Sequence, residues 1–395
     1  MEYRIFFLQF LLVAAASCGI DDLGEDVHSN SDGIWYGPSV PDPENVCFST
    51  VFEYPDGYDW RNDSEQDGTR CMLALYAEDI PVLKIPVGSA HAVSAKPERH
   101  RVFKGNLYTD YSDSLCTVIK KNGKELFRYP EPEIILNMLV AGDDVHTLGV
   151  GTGGQGFVYR INGVKVVERN EGTLFNHLDM SRDTVSFCFC CPVTDKDGTR
   201  QRYYESSAGK VRQIEIPKLV KKVWDVMIKD GRLCIVAELR GYNGLIMSSG
   251  TQSRYIRLKK SYSLLSCGFL DTESLCVQAI VDVSGGMRYL LCPERGISVE
   301  YEEGRALSAA YVDRSGCYAV INPSSGMSGL IYTGKTAVDM PHGYAVRGVN
   351  PVLKRDSVLV VGLSSLEGGS PVLWRGGDID TLNINGYITG MSLYR

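Results

Sequence analysis

Three groups of side chains in this 395-residue chain have the types and spacing to do chemistry. The first is Tyr58, Asp59 and Trp60, with Asp63 and Glu65 close behind, in a stretch from Pro55 to Thr69. Aromatic faces beside carboxylates suit stacking on a sugar ring while the acids accept hydrogen bonds from its hydroxyls. Trp60 equally suits packing over the outer strand of its own sheet. The second group is basic. Lys218, Lys221 and Lys222 fall in one connection and Lys259 and Lys260 in the next. Five ammonium groups on one sector would attract an anionic glycan or an acidic partner, and the same run also reads as a solvated face. The third group is Cys188-Phe189-Cys190-Cys191. Its thiols invite a metal, but no second paired-ligand cluster stands at zinc-finger spacing and His177 is the one histidine nearby. Burial as small hydrophobes is the default here and for Cys71, Cys234, Cys276, Cys292 and Cys317, which sit within apolar runs.

Other motifs carry less. Gly151-Thr152-Gly153-Gly154-Gln155-Gly156 has the dinucleotide spacing, yet a strand-like run, Phe157–Ile161, follows where a helix N-terminus is required. Asp378-Ile379-Asp380 with Asn383 lacks the Gly and terminal Glu of an EF-hand loop. The six histidines form no pair at ligand spacing, and His146 stands where a strand aromatic would pack. There is no G-x-S-x-G elbow and no H-E-x-x-H pair. The chain therefore calls for no cofactor and no metal. A binding module is the leading expectation. A hydrolase or lyase acting on polysaccharide at a central channel is the alternative.

The elements that must position these groups come from a repeat. Cys116–Phe127 and Val158–Val167 each place alternating apolar residues around Asn-Gly, the strongest short hairpin signal, because both turn residues need positive φ. Weaker copies turn at Asp79, Gly209, Gly250, Gly296, Gly334 and Gly377, giving a mean spacing of about 43 residues. Two further strands precede each hairpin, as in Val223–Ile228 with Leu233–Ala237, and Leu264–Leu270 with Leu275–Ala279. Four short antiparallel strands per repeat, with no helical periodicity, predict an all-β chain folded as a β-propeller. Eight blades are the expectation and seven the alternative. The N-terminal unit shows three strands, and the last strand, Tyr387–Tyr394, is expected to complete it and close the ring. The tight Asp-Gly and Asn-Gly turns then share one end. The long connections (55–69, 87–99, 191–201 and 362–370) share the other, which is where a site belongs.

Composition agrees. A charged fraction of 23% and a hydrophobic fraction of 44% suit a chain with a real core. The net charge of −7 argues against nucleic acid as a partner. The domain expected is 46–395, a monomeric propeller preceded by a Gly-, Ser-, Asn- and Pro-rich tether over 18–45.

Residues 1–17 combine Arg4, an apolar run from Ile5 to Val13 and the small residues Ala14-Ala15-Ala16-Ser17 before Cys18. This resembles a bacterial lipoprotein signal, with Ala15 where Leu is commoner. The resemblance implies cleavage before Cys18, lipidation of Cys18 and attachment to a membrane through that lipid. The acidic stretch Asp21-Asp22-Leu23-Gly24-Glu25-Asp26 resembles the export signal of surface lipoproteins, which implies an outer-membrane, surface-exposed address. Asp-Val-His-Thr-Leu-Gly (144–149), Phe-Val-Tyr-Arg-Ile-Asn-Gly (157–163) and Tyr54–Arg61 together resemble uncharacterised Bacteroides-type surface lipoproteins with propeller-like repeats. That resemblance spans nearly all of 46–395 and implies a fold and an address, with no activity to carry over.

Overall fold

The computed structural model describes residues 34–38, 46–55, 71–87 and 100–393, the last apart from short intervals of which 292–298 is the longest. Cys18, Tyr58, Asp59 and Trp60 lie outside the described residues. Those residues form strands and no helix, grouped into eight sheets. Sheet 1 holds Trp35–Tyr36, Cys47–Glu53, Met72–Ala77, Ile80–Pro86 and Gly386–Leu393. Sheet 2 holds His100–Phe103, Asn106–Ser112, Thr117–Lys121 and Lys124–Tyr129. Sheet 3 is Glu133–Ala141, Asp144–Gly151, Phe157–Ile161 and Val164–Arg169. Sheet 4 is Thr173–Ser181, Thr184–Asp195, Gly198–Ser207 and Lys210–Ile214. Sheet 5 is Val220–Lys229, Arg232–Leu239, Gly244–Ser249 and Gln252–Arg257. Sheet 6 runs from Tyr262–Asp271 to Val299–Tyr301, sheet 7 from Leu307–Asp313 to Ala337–Asp339, and sheet 8 from Tyr344–Ala345 to Asp378–Thr381. The repeated four-stranded antiparallel meander is that of a β-propeller.

The hairpins show why Asn-Gly recurs. Asn122 and Asn162 both take φ 49°, and Gly123 and Gly163 follow at 80° and 78°, the backbone a type I′ turn demands. Each asparagine also hooks its sheet's second strand. Asn122 Oδ1 accepts from Leu107 N at 2.8 Å and Asn162 Oδ1 from Val145 N at 2.9 Å. In sheet 1 the same place is taken by Glu78 (φ 59°), whose Oε1 accepts from Cys47 N at 2.9 Å. Arg355 and Arg375 also grip this carboxylate. Burial alone would raise the Glu78 carboxyl, but the Cys47 amide and the two guanidinium groups outweigh it and hold the group below its usual value.

Two compact units divide the chain, with the boundary running through sheet 2. In one, residues Gly386–Leu393 pair antiparallel with Cys47–Glu53, from Cys47↔Leu393 to Glu53↔Gly386. The strand is held by burial of Tyr387, Ile388 and Met391. The expected three-stranded N-terminal unit is thus a five-stranded sheet. Its fifth strand is Trp35–Tyr36, paired with Leu83 and Lys84. That strand lies inside the stretch expected to be tether. Two residues are too short to show a period, but Ile34 is 2% exposed and Lys84 Nζ sits 5.8 Å from the Trp35 ring, so packing fixes them.

In the larger unit the first strands of sheets 3 to 7 lie against one another in order. Buried carboxylates stitch them. Asp225 accepts from Phe269 N at 2.9 Å, and Asp179 accepts from Asp230 N at 2.9 Å and from Lys229 Nζ at 3.0 Å. Between sheets 3 and 4 the core is aromatic: Tyr159 packs on Phe187 at 4.9 Å and Phe157 on Phe189 at 4.7 Å.

The stretch 191–201, expected as a long connection, is instead mostly strand. Thr184–Asp195 and Gly198–Ser207 pair in unbroken register out to Asp195↔Gly198. The flanking strands stop at Thr173↔Cys190 and Tyr203↔Ile214, so the pairs from Cys191↔Arg202 outward form a two-stranded arm beyond the sheet. β-branched Val193, Thr194 and Thr199 favour the extended backbone, and Thr194 and Thr199 join their hydroxyls across it at 2.9 Å.

Candidate functional site

Within the larger unit, the fourth-to-first and second-to-third strand connections of sheets 3, 4 and 5 share one end because the strands alternate in direction. Two surfaces stand there. The first is the basic sector of sheet 5. Lys218 occupies the turn before Val220–Lys229; Lys221 and Lys222 are among the first residues of that strand rather than in the connection, beside a bulge at Val220/Lys222. Lys259 and Lys260 follow Gln252–Arg257, and all five lysines are exposed.

They are not equally available. Lys221 pairs with Glu238 at 2.9 Å, a contact worth little in water. Lys222 Nζ lies 3.2 Å from the Trp224 ring centroid, so it caps that indole. The structure adds Arg240 and Arg257, both exposed, at the same end. It also adds Tyr242 and Tyr255, whose rings meet edge-to-face at 5.7 Å. That end of sheet 5 therefore carries seven cations against Glu215 and Glu238, in a chain whose net charge is −7. The lysine runs stand out in the sequence, whereas the two arginines stand singly at strand ends.

The second surface is a pocket of about 390 Å³ lined by Arg169, Asn170, Glu171, Phe189, Cys191 and Tyr204. Arg169 ends the last strand of sheet 3, Asn170 and Glu171 form the turn into sheet 4, Cys191 begins the arm, and Phe189 and Tyr204 lie in sheet 4 just below it. Phe189 and Tyr204 are cross-strand partners with rings stacked at 5.1 Å and 17°. The turn is fixed from below. Gly172 takes φ 131°, and a Cβ there would lie 2.8 Å from the Cys190 carbonyl oxygen and 2.9 Å from Cys191 Sγ. Cys191 donates its thiol to the Glu171 carbonyl at 3.4 Å. Burial pushes the Cys191 thiol up; Arg169 opposes and Glu171 adds to the rise, so it is a thiol and not a thiolate at neutral pH.

The cysteine-rich run thus resolves by strand alternation. Cys188 and Cys190 point into packed protein and Cys191 lines the pocket. No metal-binding group of three or more ligands occurs among the described residues. His146 is 6% exposed and shares a 2.7 Å hydrogen bond with Tyr159 Oη.

No family model and no curated protein matches the chain. Solved structures do. The chain is similar to dihydro-heme d1 dehydrogenase NirN at a TM-score of 0.50 and 11% identity, over 91% of this chain and 77% of that one. It is also similar to the beta-propeller domain of the Trilobed protease from Pyrococcus furiosus (TM-score 0.42, 7% identity, 77% of this chain and 94% of that one). Against puromycin hydrolase (TM-score 0.43, 10% identity) 73% of this chain is covered, and it spans about half, 53%, of that protein. At these identities the likeness is one of fold, and the fold is the β-propeller.

Proposed function

We propose that this chain is a lipid-anchored, extracytoplasmic β-propeller that acts as a binding module, holding a carboxylate-rich glycan or protein partner at its long-connection end. The observation that carries this is the basic sector of sheet 5, where cations outnumber carboxylates on an otherwise acidic protein and Tyr242 and Tyr255 stand beside them. Exposed cations raise the local concentration of a polyanion and speed its capture, and the effect weakens as salt rises. Tyrosines supply rigid amphipathic contact area at small entropic cost. Attachment through Cys18 would keep the surface at the membrane, and its removal by Cys18→Ser should move the protein into the soluble fraction or leave it unprocessed.

The test is binding of the full chain to polygalacturonate, as an acidic glycan, and to an acidic protein. The substitutions Lys218→Glu, Lys222→Glu and Lys260→Glu together should weaken binding roughly 30-fold, about 2 kcal/mol, and flatten its salt dependence. A triple variant that binds both probes as the parent does would overturn the proposal.

A further inference from the structure

The pocket beside the arm is a different kind of surface. We infer that it is a binding site for one neutral pyranose ring, separate from the basic sector. Its volume of about 390 Å³ sits at the low end for small-molecule sites and suits one ring, such as the end ring of a longer saccharide. Its apolar side is flat, because Phe189 and Tyr204 stack face to face within 17°. Phe189 is 1% exposed, so Tyr204 and the Cys191 sulfur are the surfaces a ligand meets. A pyranose offers a matching C–H face.

The rim explains the remainder. Arg169 only donates, Glu171 only accepts and Asn170 does both. Sugar hydroxyls do both as well, so neighbouring hydroxyls can bridge guanidinium to carboxylate without leaving a polar group unpaired. The rim charges cancel. An acidic sugar would face the Glu171 carboxylate and an amino sugar the Arg169 guanidinium. An aromatic peptide side chain would fill the floor but turn apolar edges toward three polar groups, which costs their hydration with no return. Gly172 and the Cys191–Glu171 hydrogen bond hold the rim in place before any ligand arrives, which lowers the entropic cost of binding.

Cys191 is a reporter inside the site. Alkylation of the full chain by iodoacetamide, followed residue by residue by mass spectrometry, should slow at Cys191 when cellohexaose, mannohexaose or xylohexaose occupies the pocket. At a probe concentration about ten times its Kd the rate should fall roughly tenfold, since only unoccupied protein reacts. Cys116, also partly exposed, is the internal control and should react unchanged. Tyr204→Ala should abolish the protection. Arg169→Ala, on the exposed rim, gives the same test should the tyrosine variant not fold.

Three results would overturn the inference: no neutral hexasaccharide slows Cys191, Cys116 slows in step with it, or a hexagalacturonate protects as well as the neutral sugars. The Lys218→Glu, Lys222→Glu, Lys260→Glu variant must keep its Cys191 protection. Its loss would make the pocket a part of the basic sector and not a site of its own, whereas loss of polyanion binding alone speaks only to the other proposal.

Discussion

The pocket of sheet 4 and the basic sector of sheet 5 stand at the same end of consecutive sheets, yet they are built by opposite means. The pocket continues the core. Its floor, Phe189, belongs to one buried cluster with Leu148, Phe157, Tyr159 and Phe187, so the shape a ligand meets is set by the packing that holds the two sheets together. The basic sector owes less to the core, which it meets where Lys222 caps Trp224 at the edge of the cluster that carries Leu245. Its lysines lie outside the clusters that carry Val223, Val226 and Leu245, and their charge acts through solvent. Packing makes a selective surface and couples it to stability. Solvated charge makes a capture surface that can change while the fold stays as it is.

Phe189→Ala should break this contrast most strongly if it is wrong. Removing a 1%-exposed ring that touches Phe157 and Tyr204 should cost about 3–5 kcal/mol in urea melts and leave Tyr204 without its stacking partner. The triple lysine variant should melt within about 0.5 kcal/mol of the parent, as surface changes do. Equal melts for the two would erase the distinction.

Gly172→Ala comes next. The φ of 131° and the 2.8 Å approach to the Cys190 oxygen predict a loss of about 1–3 kcal/mol, the cost of a strained backbone, together with displacement of the Glu171 rim. Polygalacturonate binding should not move. An alanine variant that keeps both its melting point and its Cys191 protection would show the rim to be looser than drawn.

The smallest effect is one of pH. Burial holds the His146 imidazole below its usual value, with Asp144 opposing, while burial pushes its partner Tyr159 up to about 12. A depressed pKa means that the folded state prefers the neutral ring. The stability it gives is complete above the unfolded value of 6.5 and is lost as pH falls below it. Melts at about pH 7.5 and about pH 5 should differ less for His146→Gln than for the parent. An unchanged pH slope in His146→Gln would remove His146 from this account.

The fold was legible in the sequence where one local signal did two jobs. Asn122-Gly123 and Asn162-Gly163 state both the turn geometry and, through the asparagine side chain, the hook to the preceding strand. Where the hook is Glu78, or is missing as at Ala208-Gly209, the turn stands only on spacing. Trp35–Tyr36 could not be read at all, since a two-residue strand exists only because Leu83 and Lys84 are there to pair with it. The basic sector was half visible: runs of lysine stand out, and single arginines at strand ends do not. The pocket was invisible for another reason. Arg169 and Tyr204 are 35 positions apart and belong to strands of two different sheets, so no local pattern joins them.

The Asn-Gly turns also decide how the molecule ages. Asparagine before glycine loses its amide most readily, through a cyclic imide that glycine, having no Cβ, does nothing to hinder. The two turns would not age alike. At Asn122 the side-chain amide faces the Asn106 amide at 2.9 Å, and that group can turn to offer its NH₂ to a new carboxylate. At Asn162 the amide donates to Asp144 at 2.6 Å. Its loss would set two carboxylates against each other at the hairpin, where like charges repel. Old protein should therefore loosen first at the sheet 3 hairpin, one strand away from Arg169 and the pocket.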